Sequence, residues 1–98
     1  SAFMNPVRDH CVMYYVYVLE SEKNGKWYTG STNDLRKRLS QHNKGESSWT
    51  KSGIPWRIVY YEACTHEDDA RAREVYLKSG MGKRYLKNRL KRSLSLTG

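Results

Sequence analysis

The sequence predicts an α+β fold, a small three-stranded, mostly antiparallel sheet flanked by helices in the order β-β-α-β-α-α. Three observations lead there. Three short runs rich in tyrosine, tryptophan and valine are separated by turn residues. After the second and third runs, a serine or threonine stands at capping-box spacing from an aspartate, just ahead of a helical pattern. Finally, 98 residues leave room for one domain with one modest core.

The first run, Tyr14-Tyr15-Val16-Tyr17-Val18-Leu19, is apolar at odd and even positions alike, as a central strand covered on both faces would be. Polar residues from Glu20 to Lys26 follow, and Asn24-Gly25 predicts a hairpin turn. The chain returns as Trp27-Tyr28-Thr29-Gly30-Ser31. Ser31 and Asp34 predict a helix start there, running to about Lys44, with Leu35 and Leu39 buried and Gly45 ending it. Glu46 to Pro55, rich in Ser, Thr and Gly, reads as a loop, and Trp56 to Glu62 as the third strand. Thr65 and Asp68 predict a second helix reaching Lys78. Gly80 and Gly82 are expected to break it, before a last basic helix from Lys83 to Arg92 with Leu86 and Leu90 inward. Residues 13–92 form the expected domain. Residues 1–12 read as an N-terminal tail with Ser1-Ala2-Phe3 as a cloning remnant, and 93–98 as a C-terminal tail.

Composition narrows the function. With 38% apolar and 12% aromatic residues the chain has enough to fold. No run approaches the roughly 18 apolar residues of a membrane span, and the first residues lack a signal-peptide core. Cys11 and Cys64 are far apart and without metal-type spacing, which suits free thiols in a reducing cytoplasm. Charge is unevenly placed. Residues 1–70 carry nine Lys/Arg and nine Asp/Glu, whereas 71–98 carry nine Lys/Arg and only Glu74. A polyanion such as nucleic acid is the natural partner for such a region, though a basic helix also serves solubility alone.

Several side chains could carry chemistry. Tyr15 and Tyr17 share one face of their strand, and the hairpin brings Tyr28 alongside. Paired phenols there could orient water or contact phosphate, or simply pack the core. Arg38 and His42, four apart, share a helix face, where a guanidinium can fork onto phosphate and an imidazole can donate or take a proton. A solvated face is the plainer alternative. Glu74 lies on the same side of its helix as Ala70 and Leu77, while Ala72, Val75 and Tyr76 form another narrow apolar side, so periodicity leaves its direction open. Facing the sheet, its carboxylate would need an arginine or a divalent metal.

Taken in order, these pieces resemble the GIY-YIG nucleases over about residues 13–92. Tyr15-Val16-Tyr17 and Tyr28-Thr29-Gly30 are similar to the paired tripeptides that name the family. The segment Ser31 to Asn43 looks like its helix, with the arginine at Arg38 and the common histidine at His42. Pro55 to Glu62 resembles the third strand, Ala70 to Lys78 the helix with the metal-binding glutamate at Glu74, and Ser79 to Leu90 the ending of small stand-alone bacterial members. Two departures stand out: Tyr15 where the family has glycine, and Thr29 where it has an aliphatic residue.

The resemblance implies a metal-dependent DNA endonuclease in which Tyr17, exchanging roles with Tyr28, orients or deprotonates water. Arg38 would stabilise charge on the phosphate, His42 would assist proton transfer, and Glu74 would hold Mg²⁺ or Mn²⁺. DNA is the expected substrate, with RNA as a variant, and DNA repair or recombination the expected setting. Lys83, Arg84, Lys87 and Arg89 are the expected nucleic-acid contacts, and specificity is expected to be weak or supplied by a protein partner. The rival reading is a non-catalytic nucleic-acid-binding module of the same fold. It leaves Glu74, a repulsive charge beside a phosphate backbone, without a purpose.

Overall fold

The computed structural model describes residues 12–94; the expected tails, except for residues 12, 93 and 94, and Cys11 lie outside the described residues. The expected α+β order is present: β1 (Tyr14–Ser21), β2 (Trp27–Thr32), α1 (Leu35–Asn43), β3 (Trp56–Cys64), α2 (Glu67–Lys78) and α3 (Gly80–Arg89), followed by the short α4 (Lys91–Leu94). The sheet is antiparallel with order β2-β1-β3, so the most apolar strand is central. One face, with Val16 and Val18, packs on Ala70, Leu77 and Leu86 from α2 and α3. On the other, Tyr17 and Leu19 are buried with Trp56, against Leu35 and Leu39 of α1. Both faces of β1 are covered, which is why its side chains never alternate with polar ones.

Element ends differ from expectation for specific reasons. β1 and β2 are joined by residues 22–26, a longer loop than a two-residue turn, with Gly25 at φ 75° and Ser21 N–H donating to the Lys26 carbonyl at 2.9 Å. Ser31 does not cap α1. It stays in β2 opposite Val16, and Asp34 is the cap, its carboxylate accepting from Lys37 N–H at 3.1 Å. Likewise α2 is capped by His66, whose Nδ1 accepts from Asp68 N–H at 3.1 Å, not by Thr65. Gly80 and Gly82 do not break the chain but form the first turn of α3. The corner itself is Ser79, which ends α2 and caps α3 by accepting from Gly82 N–H at 3.1 Å.

Gly82 is required by close approach, because a Cβ there would collide with the backbone at Tyr76 and Leu77. Farther along, Arg73 fastens α2 to β3. Its guanidinium forks onto Glu62 at 2.9 Å and lies over the Tyr76 and Tyr85 rings, while Tyr60 donates to Glu62 at 2.7 Å. Burial pushes the Glu62 carboxyl up, but the bonds from Arg73 and Tyr60 outweigh it and hold it below its usual range.

Candidate active site

The site is built around a missing side chain. Tyr17 lies directly opposite Gly30 across the β1–β2 ladder, and a Cβ at position 30 would fall 2.6 Å from the Tyr17 hydroxyl oxygen. Only glycine lets that phenol lie across β2. Tyr28 pairs with Leu19, one step diagonal from Tyr17 on the same face, and the two rings are 6.5 Å apart.

α1 brings in Arg38 and His42. Arg38 is exposed and lines a cleft of about 250 Å³ with Ser31, Asn33, Glu67 and Arg71. His42, one turn further along α1, is buried in the protein, with 1% of its surface exposed. The plainer alternative of a solvated Arg/His face therefore holds only for Arg38. The imidazole packs against both phenols, 5.0 Å from Tyr28 and 6.0 Å from Tyr17. Its Nε2 is 3.0 Å from the Tyr17 hydroxyl and its Nδ1 is 2.8 Å from Thr50 Oγ1. Thr50 Oγ1 in turn donates to the Ser47 carbonyl at 3.4 Å. With that proton given to Ser47, we assign Nδ1–H as the donor to Thr50 and Nε2 as the acceptor from Tyr17. The network thus runs one way: Tyr17 to His42 to Thr50 to Ser47.

α2 settles the direction of Glu74. Ala70 and Leu77 are the inward side, each 1% exposed, and Val75 faces out. Glu74, one turn from each, projects at the sheet. Ser31 Oγ donates to Oε1 at 2.8 Å and Lys78 Nζ donates to Oε2 at 2.8 Å. The phenols lie on one face of β2 and Glu74 meets the other at Ser31, where the Arg38 cleft also includes Glu67 and Arg71 of α2.

Electrostatics follow from this packing. Burial raises the Tyr17 phenol well above its ordinary value near 10; Tyr28 and Glu74 add to the rise and Arg38 opposes it. Burial, helped by Arg38, lowers His42 below its ordinary 6.5, so the imidazole is neutral at pH 7. The resting site therefore holds a protonated phenol against a neutral imidazole.

Among the described residues no cluster of three or more His, Cys, Asp or Glu could encage a metal. Glu74 alone fits an ion that keeps most of its waters and shares itself with a substrate phosphate, as Mg²⁺ does, and does not fit a closed zinc-type site. Lys83, Arg84, Lys87 and Arg89 are all exposed on α3. Ser31, Lys78 and Thr50 complete the site, and sequence reasoning misses all three. Lys78, four residues after Glu74, carried a readable signal; Thr50 carried none.

The family model described as "GIY-YIG catalytic domain" matches residues 13–91. The chain belongs to the GIY-YIG family. It is 40% identical over 67 residues to a UPF0213 protein of Clostridium perfringens, covering 67% of this chain and 71% of that one. A UPF0213 protein of Staphylococcus saprophyticus is 33% identical over 75 residues, covering 76% and 90%. A UPF0213 protein of Streptococcus pneumoniae is 35% identical, and the match spans 65% of this chain and 65% of its length. The solution NMR structure of a UPF0213 protein from Bacillus halodurans is similar at 33% identity, covering 78% of this chain and 83% of that one, with a TM-score of 0.48. Within this GIY-YIG domain the unusual Tyr15 packs edge-on against Tyr61, rings 6.0 Å apart, and borders a groove with Asn33 and Arg36, not the Arg38 cleft.

Proposed function

We propose that this protein is a metal-dependent endonuclease that hydrolyses DNA phosphodiesters along β2 at Gly30 and Ser31, using Arg38, Tyr17 and Glu74. The observation that carries the reading is that a hydrogen-bonded phenol–imidazole pair at Gly30, and a guanidinium and a carboxylate at Ser31, come from three separate elements to adjacent residues of β2. Family membership supports the nuclease class.

Arg38 receives the scissile phosphate and stabilises the charge that develops on it. The Tyr17 proton is already directed at His42 Nε2, so the phenol oxygen keeps lone pairs for an attacking water. As water gives a proton to that oxygen, the phenol gives its own to His42. Free phenolate, which burial opposes, need not form. Neutral His42 is in the state to accept. Thr50 fixes its tautomer, and Ser31 fixes the Glu74 carboxylate. Glu74 would hold a Mg²⁺ or Mn²⁺ ion, which would supply charge stabilisation for the leaving group.

Glu74→Gln tests the reading. Metal-dependent cleavage of plasmid and oligonucleotide DNA should fall to background, while DNA binding in EDTA stays equal or tightens because a repulsive charge is gone. Cleavage by the variant at the wild-type rate would remove Glu74 from the site. Absence of cutting by the wild type across a Mg²⁺ and Mn²⁺ titration would favour the binding module.

A further inference from the structure

Resting on the nuclease reading, we propose that the cavity beside the site, floored by Trp27 and rimmed by Lys78 and Lys83, is a base-binding subsite. It takes the unstacked base of a nucleotide flanking the scissile phosphate.

The cavity, of about 340 Å³, is lined by Trp27, Thr29, Leu77, Lys78, Lys83 and Leu86, with Tyr28 at its border. Its interior is apolar: Leu77 and Leu86 are almost fully buried beneath it. Trp27 is half-buried, and its indole is held by Nε1–H donating to Glu20 at 3.3 Å, with Glu20 itself fixed by Arg57 at 2.6 Å. A held indole loses little freedom on stacking, which favours a flat ligand. Lys78 and Lys83 are exposed cations at the rim, set to meet the phosphates on either side of such a base.

Position ties the cavity to the chemistry. Successive residues of β2 line it at 27–29, reach the Tyr17 phenol at Gly30, and hold Glu74 at Ser31. The polar Arg38 cleft then takes over at Ser31 and Thr32. A phosphodiester strand laid along β2 meets a base pocket, the carboxylate and the guanidinium in that order. Lys78 belongs to both parts, since it rims the cavity and bonds Glu74 at 2.8 Å.

The test is photocrosslinking of wild-type protein, in EDTA, to oligothymidylate carrying 5-iododeoxyuridine, followed by mass spectrometry of the adduct. The adduct should fall on Trp27. Binding is then compared for Trp27→Leu, Trp27→Phe and Lys83→Gln, with melting curves to confirm folding. Trp27→Leu should weaken binding of the oligomer roughly thirty-fold, the middle of the range for one stacked base, and Trp27→Phe should lose less. Lys83→Gln should weaken binding and flatten its salt dependence. Adducts confined to Trp49 or α3, or unchanged affinity in folded Trp27→Leu, would overturn the subsite. Neither readout requires cutting. An adduct at Trp27 without cleavage would sink the nuclease reading alone, and cleavage without the adduct would sink the subsite alone.

Discussion

At the residue scale, the Tyr17 hydroxyl serves both the fold and the proposed chemistry. It is the hydrogen-bond partner of a histidine with 1% exposure, and it fills the space that Gly30 leaves open. Tyr17→Phe should therefore have two effects that can be measured apart. Cleavage should drop by about 10² to 10⁴, as expected when a proton-transfer group is removed. Stability should drop by about 1–3 kcal/mol, because His42 Nε2 is left buried without a donor. A fall in stability with full cleavage would make the phenol purely structural. The pH dependence has a definite sign. Folding holds His42 neutral, so below about pH 6.5 the unfolded chain takes up that proton first and stability declines. Tyr17, Tyr28, Arg38, His42 and Glu74 were legible as a set because their order and spacing resemble a family pattern. Their partners were not. Thr50 reaches His42 from a loop eight residues on, and Ser31 meets Glu74 across 43 residues, contacts that only the tertiary structure creates.

At the scale of elements, the α2–α3 corner decides how the Glu74 helix and the basic helix stand to one another. Ser79 serves both, donating to the Tyr76 carbonyl and accepting from Gly82 N–H. The two glycines there differ sharply. A Cβ at Gly80 meets nothing, whereas one at Gly82 strikes the α2 backbone. Gly82→Ala should destabilise by about 1–3 kcal/mol or more, while Gly80→Ala should be neutral or stabilise by up to about 1 kcal/mol. Chemical denaturation of the two variants checks the contrast, and equal effects would contradict the close approach. The sequence made those glycines look like breakers because composition records flexibility and not clearance. Strands were easier to read: β1 carries its central position in its lack of alternation. Helix starts are harder to place from sequence for a local reason. Ser31, Thr32, Asp34, Thr65 and His66 all offer capping atoms, and which one caps depends on where the preceding strand stops pairing.

At the scale of the whole molecule, charge is the organising feature. The formal net charge of +8 comes from the last 28 residues, and Lys83, Arg84, Lys87 and Arg89 are exposed on α3. Replacing these four with glutamine should weaken binding to every DNA sequence alike. It should flatten the slope of log K against log salt by roughly 0.9 for each phosphate no longer neutralised. An unchanged slope would take α3 out of the interface. Thr50 has a longer reach than its size suggests. Its hydroxyl holds the His42 imidazole, and its carbonyl accepts the Trp56 indole N–H at 2.7 Å. The buried indole and the buried imidazole are thus joined through one residue. Trp56 becomes a built-in optical gauge of His42. With Trp27 and Trp49 replaced by phenylalanine, intrinsic emission should change on acidification with an inflection below pH 6.5, where the imidazole takes its proton. An inflection above that value would mean that His42 is not held neutral. The emission can be followed in protein alone, before any DNA or metal is added.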